Sequence, residues 1–151
     1  MLVITGGKIV TMGPQGTLQS KKIIVEGDRI KAIGEADHIP ANAEHLDAGG
    51  GYILPGFIDA HAHLTGQESI HRSGDTPFDL LLTAVRDLSD LVDAGVTGVR
   101  DMSLFGAPLK RAVKKGLITG PRIMPGGRVL SPSAGHVDLN PHRPVSEQNE
   151  T

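Results

Sequence analysis

The sequence contains no cysteine and no tryptophan, and its aromatic residues are three Phe and one Tyr. Without cysteine, disulfides, thiolate nucleophiles and Cys-based zinc sites are excluded, so any metal must be held by histidine, carboxylate or a modified side chain. An excess of one charge is also missing. Fifteen Lys and Arg stand against 17 Asp and Glu, a net charge of −2, too small to direct the chain to nucleic acid or an acidic membrane. No apolar run approaches the roughly 18 residues of a membrane span. MLVITGGKIV lacks the basic and apolar regions of a secretory leader. A soluble, cytoplasmic protein with neither membrane nor nucleic-acid partners is the expectation. What the chain has in excess is glycine, 20 residues, against an average near 7%, which points to short elements joined by tight loops. Its 151 residues suit one domain with a core of its own, but fall short of the roughly 250 of a complete (β/α)8 barrel.

Residues 1–53 read as strands. LVITGGKIV and KKIIVEGDRIKAIGE are β-branched runs broken by glycine, and Glu26-Gly27-Asp28-Arg29 reads as a hairpin turn. Asp47-Ala48-Gly49-Gly50-Gly51 reads as a flexible hinge near a domain boundary. From Tyr52 the pattern becomes strand, helix, strand, helix, strand. YILPGFIDAHAH is the first of these strands. A helix is expected next, with Thr76 as its cap, Pro77 at the first helical position and Asp79 three residues after the cap. Phe78, Leu81, Leu82, Val85, Leu88 and Val92 supply an apolar stripe, and Gly95 ends the helix. VTGVRDM (96–102) is the next strand, a short helix runs from about Pro108 to Lys115, and RIMPGGRVLS (122–131) is the third strand. Repeated βα units of this length argue for a parallel sheet or barrel. After Ser131 the chain turns polar and Pro-rich.

The stretch FIDAHAH (57–63) poses the chemical question. Residues i and i+2 of a strand share a face, so His61 and His63 project together, with Asp59 one step behind. Two imidazoles roughly 6–7 Å apart at Cβ can lean toward one ion about 2.0–2.1 Å from each ring nitrogen. In a parallel barrel the reacting face lies at the C-terminal strand ends, where this pair stands. A solvated strand end and a pair of hydrogen-bonded core histidines remain the alternatives.

LPGFIDAHAHL closely resembles the first-strand signature of the amidohydrolase superfamily of metal-dependent hydrolases. The stretches ITGGKIVTM, IIVEGDRIKAIGE and LDAGGGYILPG resemble the small β-sandwich that accompanies that barrel. AGVTGVRDM, GPRIMPGGRVLSP and AGHVD are similar to the branch of imidazolonepropionase-related enzymes and Xaa-Pro-type dipeptidases. The resemblance implies an α/β fold: an N-terminal β-sandwich portion (1–53), then the first three βα units of a (β/α)8, TIM-type barrel (54–135), incomplete, and a polar tail (136–151) expected to be disordered. It implies one or two divalent ions, commonly zinc, with His61 and His63 as ligands and hydroxide attacking an amide, cyclic amide or dipeptide-like C–N carbonyl. A carboxylated lysine, further histidines and a proton-shuttling aspartate from later strands would complete such a site. Lys110, Lys114 and Lys115 stand on the short helix, in the wrong place for a bridging ligand. No catalytic residue is therefore identified in this stretch, which is expected to be the N-terminal part of an enzyme and inactive alone.

By the same resemblance His136 matches a histidine near the substrate carboxylate, against a plain loop histidine. Asp59 is a candidate to hydrogen-bond a ligand, against a polar residue of the barrel floor. Asp101 is a candidate to reach the pocket, against a helix-capping or loop carboxylate. His38, His45, His71 and His142 are expected to be solvated. The Gly126-Gly127 pair lacks the P-loop arrangement. A small-molecule or dipeptide-like substrate is the expected partner, and a homo-oligomer or a complementing chain would satisfy the open strand edges. A noncatalytic barrel relative, kept for binding or assembly, is the competing reading.

Overall fold

A computed structural model of the chain describes residues 1–35, 40–65 and 76–127. His38, His71, His136, His142 and the whole 136–151 tail lie outside the described residues. The chain divides after Pro55 into two compact units.

The first unit is entirely of strands: β1 (Leu2–Thr5), β2 (Lys8–Val10), β3 (Thr17–Leu18), β4 (Lys22–Glu26), β5 (Arg29–Gly34), β6 (Glu44–Asp47) and β7 (Tyr52–Ile53). They form a four-stranded sheet in the order β5-β4-β1-β6 and a three-stranded sheet in the order β3-β2-β7. The β4–β5 pair is the expected hairpin, turning at Gly27 with φ of +61°. β6 and β7 return parallel to β1 and β2, whose other edges pair antiparallel with β4 and β3. Val3, Ile9, Ile23 and Ile24 are buried. The glycine run is a hydrogen-bonded turn: Gly50 N–H donates to Gly6 O at 2.6 Å and Gly51 N–H to Ala48 O at 2.9 Å, while Gly49 N–H donates to Asp47 Oδ1 at 2.9 Å.

The second unit alternates: β8 (Phe57–Ala62), α1 (Pro77–Asp93), β9 (Val96–Asp101), α2 (Gly106–Lys114) and β10 (Arg122–Pro125). The three strands are parallel in the order β10-β9-β8, as connection through helices requires. Helix α1 begins as its sequence specifies, with Thr76 and Asp79 forming a reciprocal capping box and Pro77 in the first turn. Gly95 follows its end at φ +86°. The buried row, however, is Leu80, Ala84 and Leu88, flanked by Leu81, Val85 and Leu91. Phe78 and Leu82 are 77% and 71% exposed. At 3.6 residues per turn they lie roughly 160–200° around the helix from Leu80, so the expected stripe was centred too far round. Val99, Leu109 and Ile123 bring β9, α2 and β10 into the same core; burying each such side chain stabilises by about 1.5–3 kcal/mol. No helix among the described residues is long and apolar enough to cross a membrane.

Candidate metal centre

β8 ends where the histidines stand. Ala62, between them, packs against the core, whereas His61 and His63 are exposed. The strand is not regular here. Its pairing with β9 jumps from Asp59↔Val99 to Ala62↔Asp101, one extra residue on the β8 side. Such a bulge re-aims side chains beside it, so simple alternation is not the whole reason for where the rings point. They nevertheless converge. The ring centroids are 5.1 Å apart with planes tilted by 53°, and Nε2 of His61 stands 3.2 Å from Nε2 of His63.

That separation tests the fit of an ion. Two nitrogens each about 2.05 Å from one centre lie about 3.3 Å apart at the tetrahedral angle and about 2.9 Å at a right angle. The observed 3.2 Å falls between these limits, and neutral imidazole is a preferred ligand of zinc and similar ions. The same distance suits an N–H···N hydrogen bond between two neutral rings, with the tautomer deciding which donates. No cluster of three or more His, Cys, Asp or Glu side chains suited to an ion occurs among the described residues. Within them, the pair offers two ligands and no more.

Around the pair, Asp59, Leu64, Asp87, Asp90 and Leu91 join the histidines in lining an open hollow of 510 Å³. Asp59 uses its Oδ1 to accept from His61 N–H at 3.0 Å, so it holds the backbone of the histidine, not its ring. Asp101 is fully buried. Its Oδ1 accepts from Leu64 N–H at 3.0 Å and Ser103 N–H at 3.1 Å, and its Oδ2 accepts from Ser103 Oγ at 2.9 Å. It is therefore not among the residues lining the hollow, but it sits directly beneath the turn that follows His63. Arg100, its neighbour, is exposed.

Lys110, Lys114 and Lys115 are exposed on or just after α2, and His45 is exposed on β6. Gly126 N–H donates to Asp101 O at 2.7 Å, a structural use of the Gly-Gly pair. Sequence reasoning missed Ser103, which is 1% exposed and also accepts from Thr65 N–H at 3.2 Å. The available signal was Asp101-Met102-Ser103, since Asp two residues before a backbone N–H is an Asx-turn arrangement. Asp87 and Asp90 were missed as well; their spacing of three places both on one side of α1.

Comparison with known proteins places this geometry in a family. The chain is 34% identical over 98 residues to an imidazolonepropionase of Mycolicibacterium smegmatis, covering 58% of this chain and 25% of that protein. It is 28% identical over 158 residues to an imidazolonepropionase of Streptomyces griseus, covering 83% of this chain and 40% of the relative. Among solved structures, a prolidase complexed with N-methylphosphonate-L-proline superposes on 95% of this chain with a TM-score of 0.82 and 28% identity, over 36% of its own length. The chain thus spans less than half the length of each of these relatives. The amidohydrolase family profile matches residues 52–150, which run from β7 through the histidine pair and both helices, and the chain belongs to that family.

Proposed function

We propose that the chain forms part of a metal-dependent hydrolase acting on C–N bonds of small substrates, with His61 and His63 as ligands of a divalent ion, zinc by preference. The observation that carries this reading is the approach of the two Nε2 atoms to 3.2 Å at the end of β8, within a chain of the amidohydrolase family. An ion held there by the two rings would supply Lewis acidity toward a carbonyl and toward water. This chain's own part is to present two neutral imidazoles, to fix the backbone of His61 through Asp59, and to leave the hollow open to substrate. Catalytic zinc takes about three protein ligands, so the third ligand and the group that moves the proton come from outside the described residues. By this reading β8, β9 and β10 are the first three strands of a (β/α)8 barrel, residues 1–53 belong to an accompanying β-sandwich, and residues 1–151 do not hydrolyse substrate by themselves. The likeness to imidazolonepropionases and to a prolidase supports a cyclic amide or a dipeptide-like amide as substrate; a role for His136 at its carboxylate rests on the resemblance of AGHVD alone.

The test is the metal content of the intact protein and its hydrolysis of imidazolone and Xaa-Pro substrates, alongside His61→Ala and His63→Ala. Bound zinc in the wild type, and its loss together with activity in both variants, is the expected result. Unchanged metal in both would remove the ligand assignment.

A further inference from the structure

We propose that Asp101, working with Ser103, is a positioning residue for His63. The role rests on the reading of His63 as a metal ligand. His63 stands one residue beyond the last residue of β8 and is exposed, so the strand ladder does not fix it. The peptide groups on either side of it are fixed instead. Before it, Ala62 O accepts from Met102 N–H at 2.8 Å. After it, Leu64 N–H donates to Asp101 Oδ1 at 3.0 Å, and Thr65 N–H to Ser103 Oγ at 3.2 Å. The first peptide sets φ of His63 and the second sets ψ. With both tied to residues 101–103, only the side-chain torsions of the ring remain free.

The tether itself is buried and bonded on every side-chain oxygen. Asp101 is 0% exposed, its two oxygens carry the Ser103 N–H and Oγ–H bonds besides that of Leu64, and its carbonyl accepts from Gly126 N–H. Gly106, the first residue of α2, lies so close that a Cβ there would overlap Asp101 Oδ2. The α2 N-terminus favours a negative charge at that point. Packing alone does not call for a carboxylate at such depth, because burying one is costly. Holding a backbone N–H of a turn that has left its sheet calls for a side-chain acceptor at that point. Asp59, accepting from His61 N–H, fixes the first histidine of the pair in a parallel way.

The experiment compares zinc affinity, by competition with a chromophoric chelator, in the intact wild-type protein and in Asp101→Ala, Asp101→Asn and Ser103→Ala, each checked for folding by circular dichroism. Loss of an outer hydrogen-bond partner typically weakens metal binding about 10–100-fold. Asp101→Ala is expected in that range and Ser103→Ala toward its lower end. Asp101→Asn, which keeps an acceptor oxygen for Leu64 N–H, is expected to recover most of the affinity. Faster hydrogen exchange at the Leu64 amide should accompany each loss. Should Asp101→Ala not fold, Ser103→Ala decides. Asp101→Ala or Ser103→Ala protein that melts earlier yet, while folded, binds zinc as tightly as wild type would reduce Asp101 to a stability role and overturn the proposal. His61→Ala and His63→Ala serve as references: if they too leave affinity unchanged, it is the metal assignment that has failed. If they abolish binding while Asp101→Ala and Ser103→Ala do not alter it, only the positioning role is lost.

Discussion

Replacing Gly106 by alanine sets two physical effects against each other, and the structure says which one wins. Gly106 is the first residue of α2, and in a helix alanine is favoured over glycine by about 0.8–1.0 kcal/mol. Propensity alone therefore makes Gly106→Ala stabilising. Yet the new Cβ would overlap Asp101 Oδ2 and stand 3.1 Å from both Asp101 Cγ and Pro125 Cβ. The carboxylate has nowhere to go, being fully buried with both oxygens bonded. Overpacking of this kind costs about 1–3 kcal/mol, and each hydrogen bond to a charged group that is broken in the adjustment costs about 1.5–3 kcal/mol more. Subtracting the propensity gain leaves a net loss of roughly 0–2 kcal/mol if every bond survives, and of roughly 1.5–5 kcal/mol if one is lost. At about 2–4 °C per kcal/mol for a domain of this size, the second case is a fall in Tm of about 3–20 °C. Thermal denaturation of the intact protein followed by circular dichroism measures it, with hydrogen exchange at Leu64 reporting whether the Asp101 bond has been disturbed. An unchanged or raised Tm would show that the carboxylate yields freely, and the account of residues 101–106 as a rigid unit would be refuted.

Other consequences follow from the second unit. Leu88→Ala, at a side chain with no exposure, should cost about 2–5 kcal/mol in chemical denaturation, while Leu82→Ala, 71% exposed, should change little; equal effects would contradict the placement of α1. Thr76→Ala should cost about 1 kcal/mol by removing the cap, read in the same way. Hydrogen bonds from the Thr76 hydroxyl and backbone N–H hold the Asp79 carboxyl below its ordinary range. Because the folded-state value is the lower one, this contribution is complete above the unfolded value near 3.9 and is lost as pH falls through the folded value. Asp79→Asn should therefore flatten the acid limb of the stability profile below about pH 4, and an unaltered limb would count against it. Phe57, Ile58, Phe78 and Leu82 are all exposed, so residues 1–151 alone should bind a hydrophobic dye and associate with rising concentration in light scattering; a clean monomer with no dye binding would speak against an unsatisfied apolar surface.

The elements most legible in the sequence were those written in local chemistry. Thr76-Pro77 with Asp79, Gly95 after α1 and the Gly27 turn each specify one conformation through a cap, a fixed φ or a left-handed residue, and each appears as read. The pairing of β6 with β1 and of β7 with β2 was not legible, since those ladders join residues some 40 positions apart and no local pattern encodes them. The facing of α1 was misjudged because Phe78 and Leu82 are apolar yet exposed, and a hydrophobic pattern cannot tell a residue that packs inward from one that does not. At the site, i, i+2 spacing brought His61 and His63 to notice, but the bulge between Asp59 and Ala62 and the tether from Asp101 to Leu64 depend on β9 lying alongside. Ser103 was passed over for the same reason: a serine shows its value as a hydrogen-bond partner only when the turn it holds has arrived.

The central claim is that one ion is shared by the rings of residues 61 and 63. Anomalous diffraction at the zinc edge, from crystals of the intact protein grown with zinc, tests it most directly. A single peak is predicted about 2.0–2.1 Å from both Nε2 atoms, absent in His61→Ala crystals. A map with no peak there, or with zinc bound elsewhere while these two nitrogens keep a hydrogen bond to each other, would contradict it.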